Sequence, residues 1–225
     1  MKNYIPILQK TPLFGGCNEE EIQKLFVCLE TRKRLLGKGM FVFRANDTPT
    51  SIYLILSGSM HIIDEDFWGN CSIIETMKEH TLFGEAYFLS SAKKHLVSVI
   101  AAEDSTILEI DPTRLFETCS RGCPHHTRLI QNTAQILSEK IVRLTEKIGH
   151  IMARTIREKI LSYLSKCARQ AQSTSFDIPY SRQQLADYLC IDRSALSHEL
   201  RKLRDLGILT YHKNHFELLT ANPWL

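Results

Sequence analysis

The hydrophobic pattern changes period along the chain. From about residue 35 to 115, short runs rich in β-branched and aromatic residues (MFVFR, SIYLILSG, SMHIID, CSIIETM, LVSVIAA and STILEID) alternate with turn residues, which predicts an all-β unit, a small barrel or roll. From Ile130 to Ile151 the apolar positions step by four and three, through Ile130, Ala134, Leu137, Ile141, Leu144, Ile148 and Ile151, so one long helix carries a heptad seam. Glu139, Lys140, Arg143, Glu146 and Lys147 surround that seam and favour pairing with an identical helix in a parallel coiled coil. Packing of the helix on its own β unit is the alternative. Thr155 and Glu158 then have capping-box spacing, so a new helix, REKILSYLSKCARQ, starts after a joint near Ile151 and Met152.

The segment from Ser181 to Leu209, SRQQLADYLCIDRSALSHELRKLRDLGIL, predicts two short helices. Ser181 caps the first with Gln184 completing a capping box, and Leu185, Ala186 and Leu189 form its buried stripe. Asp192 is placed to cap the second, whose stripe is Leu196, Leu200 and Leu203 and whose exit falls at Gly207, where a left-handed residue is needed. Only Cys190 and Ile191 connect them. Ser194, Ser197, His198 and Arg201 lie away from the second stripe, the first three near the helix N-terminus, with Arg193 flanking them. Such a pair fits the major groove of DNA, where Arg193 can donate to O6 and N7 of a guanine and Arg201 suits a phosphate. Arg182 and Gln183, opening the first helix, join this DNA-facing set. Two alternating runs around Lys213 and Asn214, in ILTYHKNHFEL, predict a β-hairpin wing. An ordinary helical hairpin with a charged face is the plainer alternative.

Charge is divided in the same sense. Residues 151–225 carry 11 basic and 7 acidic side chains, a net +4, whereas residues 1–150 carry 17 and 18, a net −1. A basic excess beside the helix pair suits phosphate neutralisation. The 225 residues are 44% hydrophobic and 24% charged, an ordinary soluble balance. No apolar run approaches the ~20 residues that span a bilayer, and the start, MKNYIPILQKTPLF, lacks the features of a signal peptide. A cytoplasmic protein with no membrane partner is expected. Seven scattered cysteines, an odd number, do not read as a disulfide framework, so most are expected to be reduced thiols.

With these residues in view the chain resembles the Crp/Fnr family of bacterial transcription regulators. The resemblance is carried by KGMFVFRANDT at 38–48, YLILSGSMHII at 53–63 with its turn Gly58, LFGEAYFLS at 82–90, ILEIDPTRLF at 107–116, LTEKIGHI at 144–151 and the helix pair SRQQLADYLCIDRSALSHELRKL. It implies an α+β fold: an N-terminal double-stranded β-helix (β-roll) sensor domain over 1–125, a long dimerisation helix and hinge over 126–152, and a C-terminal winged helix-turn-helix over 153–225. It also implies a homodimer on double-stranded DNA at a palindromic promoter site, with RNA polymerase as a further partner if it activates. Nothing in the sequence supports catalysis: HExxH, a phosphate-cradling glycine loop and Gly-x-Ser-x-Gly are absent, and His61, His80 and His95 stand in separate segments. The competing reading is a ligand- or metal-binding β-roll whose regulatory or enzymatic role does not depend on DNA.

Departures from the family pattern bear on the effector. Cyclic-AMP-responsive members follow Gly-Glu with an Arg-Ser pair that holds the cyclic phosphate; here Gly84 and Glu85 are kept but the pair is His95-Leu96. A mostly neutral imidazole and an aliphatic chain do not replace a permanent bidentate cation and a hydroxyl. The family's adenine-facing Thr-Ser pair is Leu144-Thr145. Cyclic AMP is therefore expected to bind weakly or not at all, with another small ligand in this pocket left open. Cys17 and Cys28 have ten residues between them, too far apart for the tight cysteine group of the iron-sulfur members. Cys119 and Cys123, with His125 and His126, place two thiols and two imidazoles within eight residues. They suit zinc or iron, a haem held through His or Cys, a reversible disulfide, or a purely structural role. Ser194 and His198 stand where many members have Glu and a second Arg, so the half-site should be altered or relaxed there.

Overall fold

The computed structural model describes residues 4–116 and 124–220, and the chain separates into two compact units, 1–139 and 140–225. The first contains α1 (Ile5–Leu8), α2 (Glu19–Leu29), β1 (Arg32–Leu36), β2 (Phe41–Phe43), β3 (Ile52–Ser57), β4 (Met60–Glu65), β5 (Cys71–Met77), β6 (Leu82–Phe83), α3 (Glu85–Leu89), β7 (Ser98–Ala101), β8 (Ser105–Ile110) and α4 (Pro112–Phe116). The long helix α5 (Pro124–Ile151) follows, and the units part within it. Strands form two antiparallel sheets, ordered β1-β8-β3-β6 and β2-β7-β4-β5.

Strand β3 shows why the β signal was an unbroken apolar run. Tyr53 and Ile55 enter the layer between the sheets with Phe43, Met60, Phe83, Val99 and Ile107. Ile52, Leu54 and Leu56 face the other way, into a cluster with Leu8, Phe14, Leu25 and Leu115. A strand buried on both faces loses the alternation of a half-solvated one. The β3–β4 turn needs Gly58, whose φ is +84° and where a Cβ would lie 2.8 Å from the carbonyl oxygen of Asp104.

The N-terminal helices were not anticipated. The Asn18 side chain accepts from Glu21 N at 2.9 Å while Glu21 Oε2 accepts from Asn18 N at 2.8 Å. This capping box opens α2, which buries Ile22, Leu25 and Leu29. The first half of α5 is fastened to that segment: Arg128 donates to Gly16 O at 2.6 Å and to Glu21 Oε2 at 3.3 Å, and Asn132 to Leu13 O at 2.8 Å and Gly15 O at 3.0 Å. Leu129, Thr133 and Ile136 are buried there, so this stretch of the helix packs on its own β unit. The heptad positions lie on another face. Ala134, Ile141, Leu144 and Ile148 are exposed, and Ile130, Leu137 and Ile151 are half-buried.

The second unit holds the rest of α5, α6 (Ile156–Ala171), β9 (Ser175–Asp177), α7 (Arg182–Leu189), α8 (Arg193–Asp205), β10 (Leu209–His212) and β11 (His215–Leu218), with strand order β10-β11-β9. Capping boxes at Thr155/Glu158 and Ser181/Gln184 start α6 and α7 as expected. Asp192 occupies the N-cap of α8, but its side chain makes no capping bond, a correction to the expected Asp192 cap. The wing gains a third strand, β9, anchored by the buried Phe176. Leu161, Leu164, Leu185, Leu189, Leu196, Leu200, Leu203 and Phe216 form one core. His150, in the last turn of α5, shares a 2.9 Å hydrogen bond through Nδ1 with Ser162 Oγ and meets the Tyr163 ring edge-on at 5.7 Å. Among the described residues no helix is long and apolar enough to cross a membrane.

Candidate nucleic-acid interface and effector site

The helix pair turns through Cys190, whose φ of 53° is left-handed, and α8 leaves the turn with its leucine stripe fully buried. That fixes which face is free. Arg193, Ser194, His198 and Arg201 are exposed on α8, and Gln183 on α7. Ser197 is half-buried and its hydroxyl donates to Arg193 O at 2.9 Å, so its proton is held within the helix and only its acceptor capacity faces outward. Gln183 spends an amide proton on Asp187 Oδ1 at 2.8 Å. Arg182 differs from a free phosphate donor. Its guanidinium lies over the rings of Tyr211 and Phe216 at 4.6 and 4.8 Å, and burial lowers its pKa without making it neutral. Arg182 thus braces α7 against the wing. An open groove of about 580 Å³ between them is lined by Ser181, Arg182, Lys213 and Asn214 among others. His215 ties β11 to β9, with Nδ1 3.0 Å from Asp177 Oδ1 and Nε2 3.0 Å from Ser175 Oγ.

In the first unit, Gly84 has φ +86° and a Cβ there would lie 3.2 Å from both Ser51 O and the Tyr53 ring. Glu85, which follows it, is buried. His95 is buried at 2% exposure, stacked on Phe43 at 3.7 Å and 10°, and edge-on to Tyr87 at 4.8 Å. Phe43 in turn meets Tyr53 at 5.9 Å and Phe83 at 6.3 Å. The backbone of His95 is held by Asp47 O at 2.9 Å and bonds Asn46 N at 2.8 Å. Burial pushes its pKa below the ordinary histidine value, with the charge of Asp47 opposing. The ring is therefore a neutral member of an aromatic stack, while Leu96 is 75% exposed. The two residues at the Arg-Ser position part, one into the core and one into solvent. In the second unit Leu144 is 58% exposed, and the exposed Thr145 bonds Ile141 O through its hydroxyl at 2.9 Å.

Cys119 and Cys123 lie outside the described residues. His125 Nδ1 is 3.2 Å from Glu21 Oε1, which engages that imidazole with a carboxylate. His126 is buried, and among the described residues neither of its ring nitrogens has a hydrogen-bond partner. Among the described residues no group of three or more His, Cys, Asp or Glu side chains is placed to hold a metal. Burial raises the pKa of Cys17, with Arg128 opposing, so it is a buried thiol with no bias toward the reactive thiolate.

Comparison with known proteins decides between the readings. Residues 33–121 match the cyclic nucleotide-binding domain family, and residues 158–222 match the Crp-like helix-turn-helix domain family. The chain belongs to the Crp/Fnr family of transcription regulators. It is 23% identical over 203 residues to the cyclic AMP receptor protein of Thermus thermophilus, covering 90% of this chain and 89% of that one. It is 24% identical over 198 residues to an anaerobic regulatory protein of Pasteurella multocida, covering 86% and 70%. The solved c-di-GMP-responsive global regulator CLP of Xanthomonas campestris shares the fold, with a TM-score of 0.59 at 19% identity, covering 91% of this chain and 100% of that one. This Crp/Fnr regulator therefore binds DNA through its C-terminal unit and carries a sensor domain ahead of it, and the proteins it matches are transcription factors and not enzymes.

Proposed function

We propose that the chain acts in the cytoplasm as a homodimer, paired along Ile130, Ala134, Leu137, Ile141, Leu144, Ile148 and Ile151, with the two α8 helices in successive major grooves of a palindromic promoter site. The observation that carries this reading is the division of α8 into a fully buried leucine stripe and an opposite face on which Arg193, Ser194, His198 and Arg201 are open. Arg193 reads a guanine, Arg201 holds a phosphate, and Arg182 acts by holding the wing. RNA polymerase is a partner if the bound dimer activates.

Cyclic AMP is not the effector in this reading. The side chain at the phosphate-clamping position, His95, is spent on a ring stack and carries no charge to offer. A second reading of the sensor, thiol or metal chemistry between Cys119 and His126, is favoured by the buried His126 ring, which has no hydrogen-bond partner among the described residues; His125 is less available because Glu21 holds it.

Selection of genomic DNA fragments by protein purified without oxygen, repeated after air exposure and with a chelator, tests both. Enrichment of a palindrome in every condition supports the dimeric regulator and excludes the thiol or metal signal. Enrichment in only one condition supports that signal, and enrichment of unpaired half-sites sinks the dimer.

A further inference from the structure

The recognition helix carries one acidic side chain on its middle turns, Glu199, and it is largely buried. Its side chain is 15% exposed, and Arg157 Nε donates to Glu199 Oε1 at 2.7 Å, with Lys202 Nζ 3.9 Å from Oε2. Arg157 is the second residue of α6. We propose that Arg157 is a positioning residue for base reading: by holding Glu199 it fixes the rotation of α8 about its own axis, and so the direction of Arg193, Ser194 and His198. The inference rests on the reading that α8 enters the groove.

The physical reason is the nature of the remaining contact. Leu196, Leu200 and Leu203 are held by apolar burial, whose driving force is non-directional. A charge-assisted hydrogen bond is directional. Glu199 adjoins the stripe at Leu200, one residue from His198 and two from Arg201, so a turn of α8 that swings the carboxylate swings the reading face with it. The other end of the pin is firm. Thr155 and Glu158 cap α6, and Glu158 Oε2 accepts from Arg154 N at 2.9 Å and Thr155 N at 3.3 Å. Movement of the joint between α5 and α6 thus has a directional route to the reading face in this ion pair, beside the apolar core that α6 and α8 share. Arg157 also neutralises a carboxylate on the helix that must approach phosphates.

The test uses the full chain and a DNA site selected by the wild type, comparing affinity for that site with affinity for random duplex, alongside Tm. Arg157→Ala should lower affinity for the selected site about tenfold, the scale of one hydrogen bond to a charged group, and random DNA far less. Arg157→Lys should recover part of the loss, and the double exchange of Arg157→Glu with Glu199→Arg most of it, with the Tm of each near the parent. An unchanged ratio of specific to random binding in Arg157→Ala overturns the proposal, as does a lowered ratio that the exchange fails to restore. If Arg157→Ala does not fold, Glu199→Gln, which keeps an acceptor without the charge, gives the same reading. A wild type that selects no site removes the base-reading face itself, a failure distinct from unaltered discrimination in the variants.

Discussion

Two arginines eight residues apart on α8 have the same charge and are both exposed, yet the proposed reading gives them different work. Arg193 opens the helix, where side chains meet base edges, and Arg201 lies two turns further along. Arg193→Ala should flatten preference at one base pair, a loss of about 1–3 kcal/mol of discrimination. Arg201→Ala should leave preference intact and reduce the salt slope by about one. Anisotropy titrations across a salt series, on the selected site and on single base-pair changes, separate them; two variants that are merely weaker, with preference kept, would refute the assignment. The exposure of these residues was legible in the sequence because helical spacing is local. Arg182 was not. Its partners Tyr211 and Phe216 come from the wing, and nothing local distinguishes an arginine stacked on rings from one aimed at phosphate. His95 was legible only as a departure from a pattern. Its stack on Phe43, a residue of another strand, required the fold.

At the scale of elements, α5 packs on its own β unit along one face and leaves most of its heptad positions open for the pairing proposed above. One face, at Leu129 and Ile136, is buried on the β unit, whereas Ile141, Leu144 and Ile148 are 64%, 58% and 50% exposed. Consecutive apolar positions on a helix can serve two neighbours when the stripe is wider than one seam. The two faces make opposite predictions. Leu144→Glu should abolish dimerisation in sedimentation equilibrium and weaken binding to the palindrome, with little change in Tm of the monomer. Leu129→Ala should cost about 2–5 kcal/mol of stability, because it empties a fully packed site. A dimer that survives Leu144→Glu would move the interface elsewhere. The heptad was legible because seven positions repeat. Strand β1, RKRLL, was missed because at the edge of its sheet it buries only Leu36. β9 was missed because three residues with one buried phenylalanine are too short to show a period. α2 had a readable signal in Asn18 and Glu21 followed by Ile22, Leu25 and Leu29.

For the whole molecule, each unit contains one buried histidine whose pKa burial holds below the ordinary value. For His95 desolvation is the larger cause, and Asp47 opposes it. For His150 desolvation comes first, Lys166 adds to it, and Glu146, itself paired with Lys166, opposes. In the unfolded chain both rings titrate near about 6.5. As pH falls through that value the unfolded chain takes up protons that the folded chain refuses, so stability rises with pH over this window and is lost on acidification. Above roughly pH 7.5 neither ring is charged in either state, and these groups should contribute no slope. The loss begins near about pH 6.5 and continues down to the lowered folded values. His95→Phe keeps the stack on Phe43 and removes the proton site, so it should flatten the acid limb of the sensor unit's melting transition. His150→Phe should do the same for the DNA-binding unit, at the cost of the bond to Ser162. Because the two rings lie in separate compact units, their effects should add in the double variant. Differential scanning calorimetry between about pH 5 and 8 checks this, across the range where an unperturbed histidine titrates. An acid limb that persists unchanged in the double variant would assign the destabilising proton to another group.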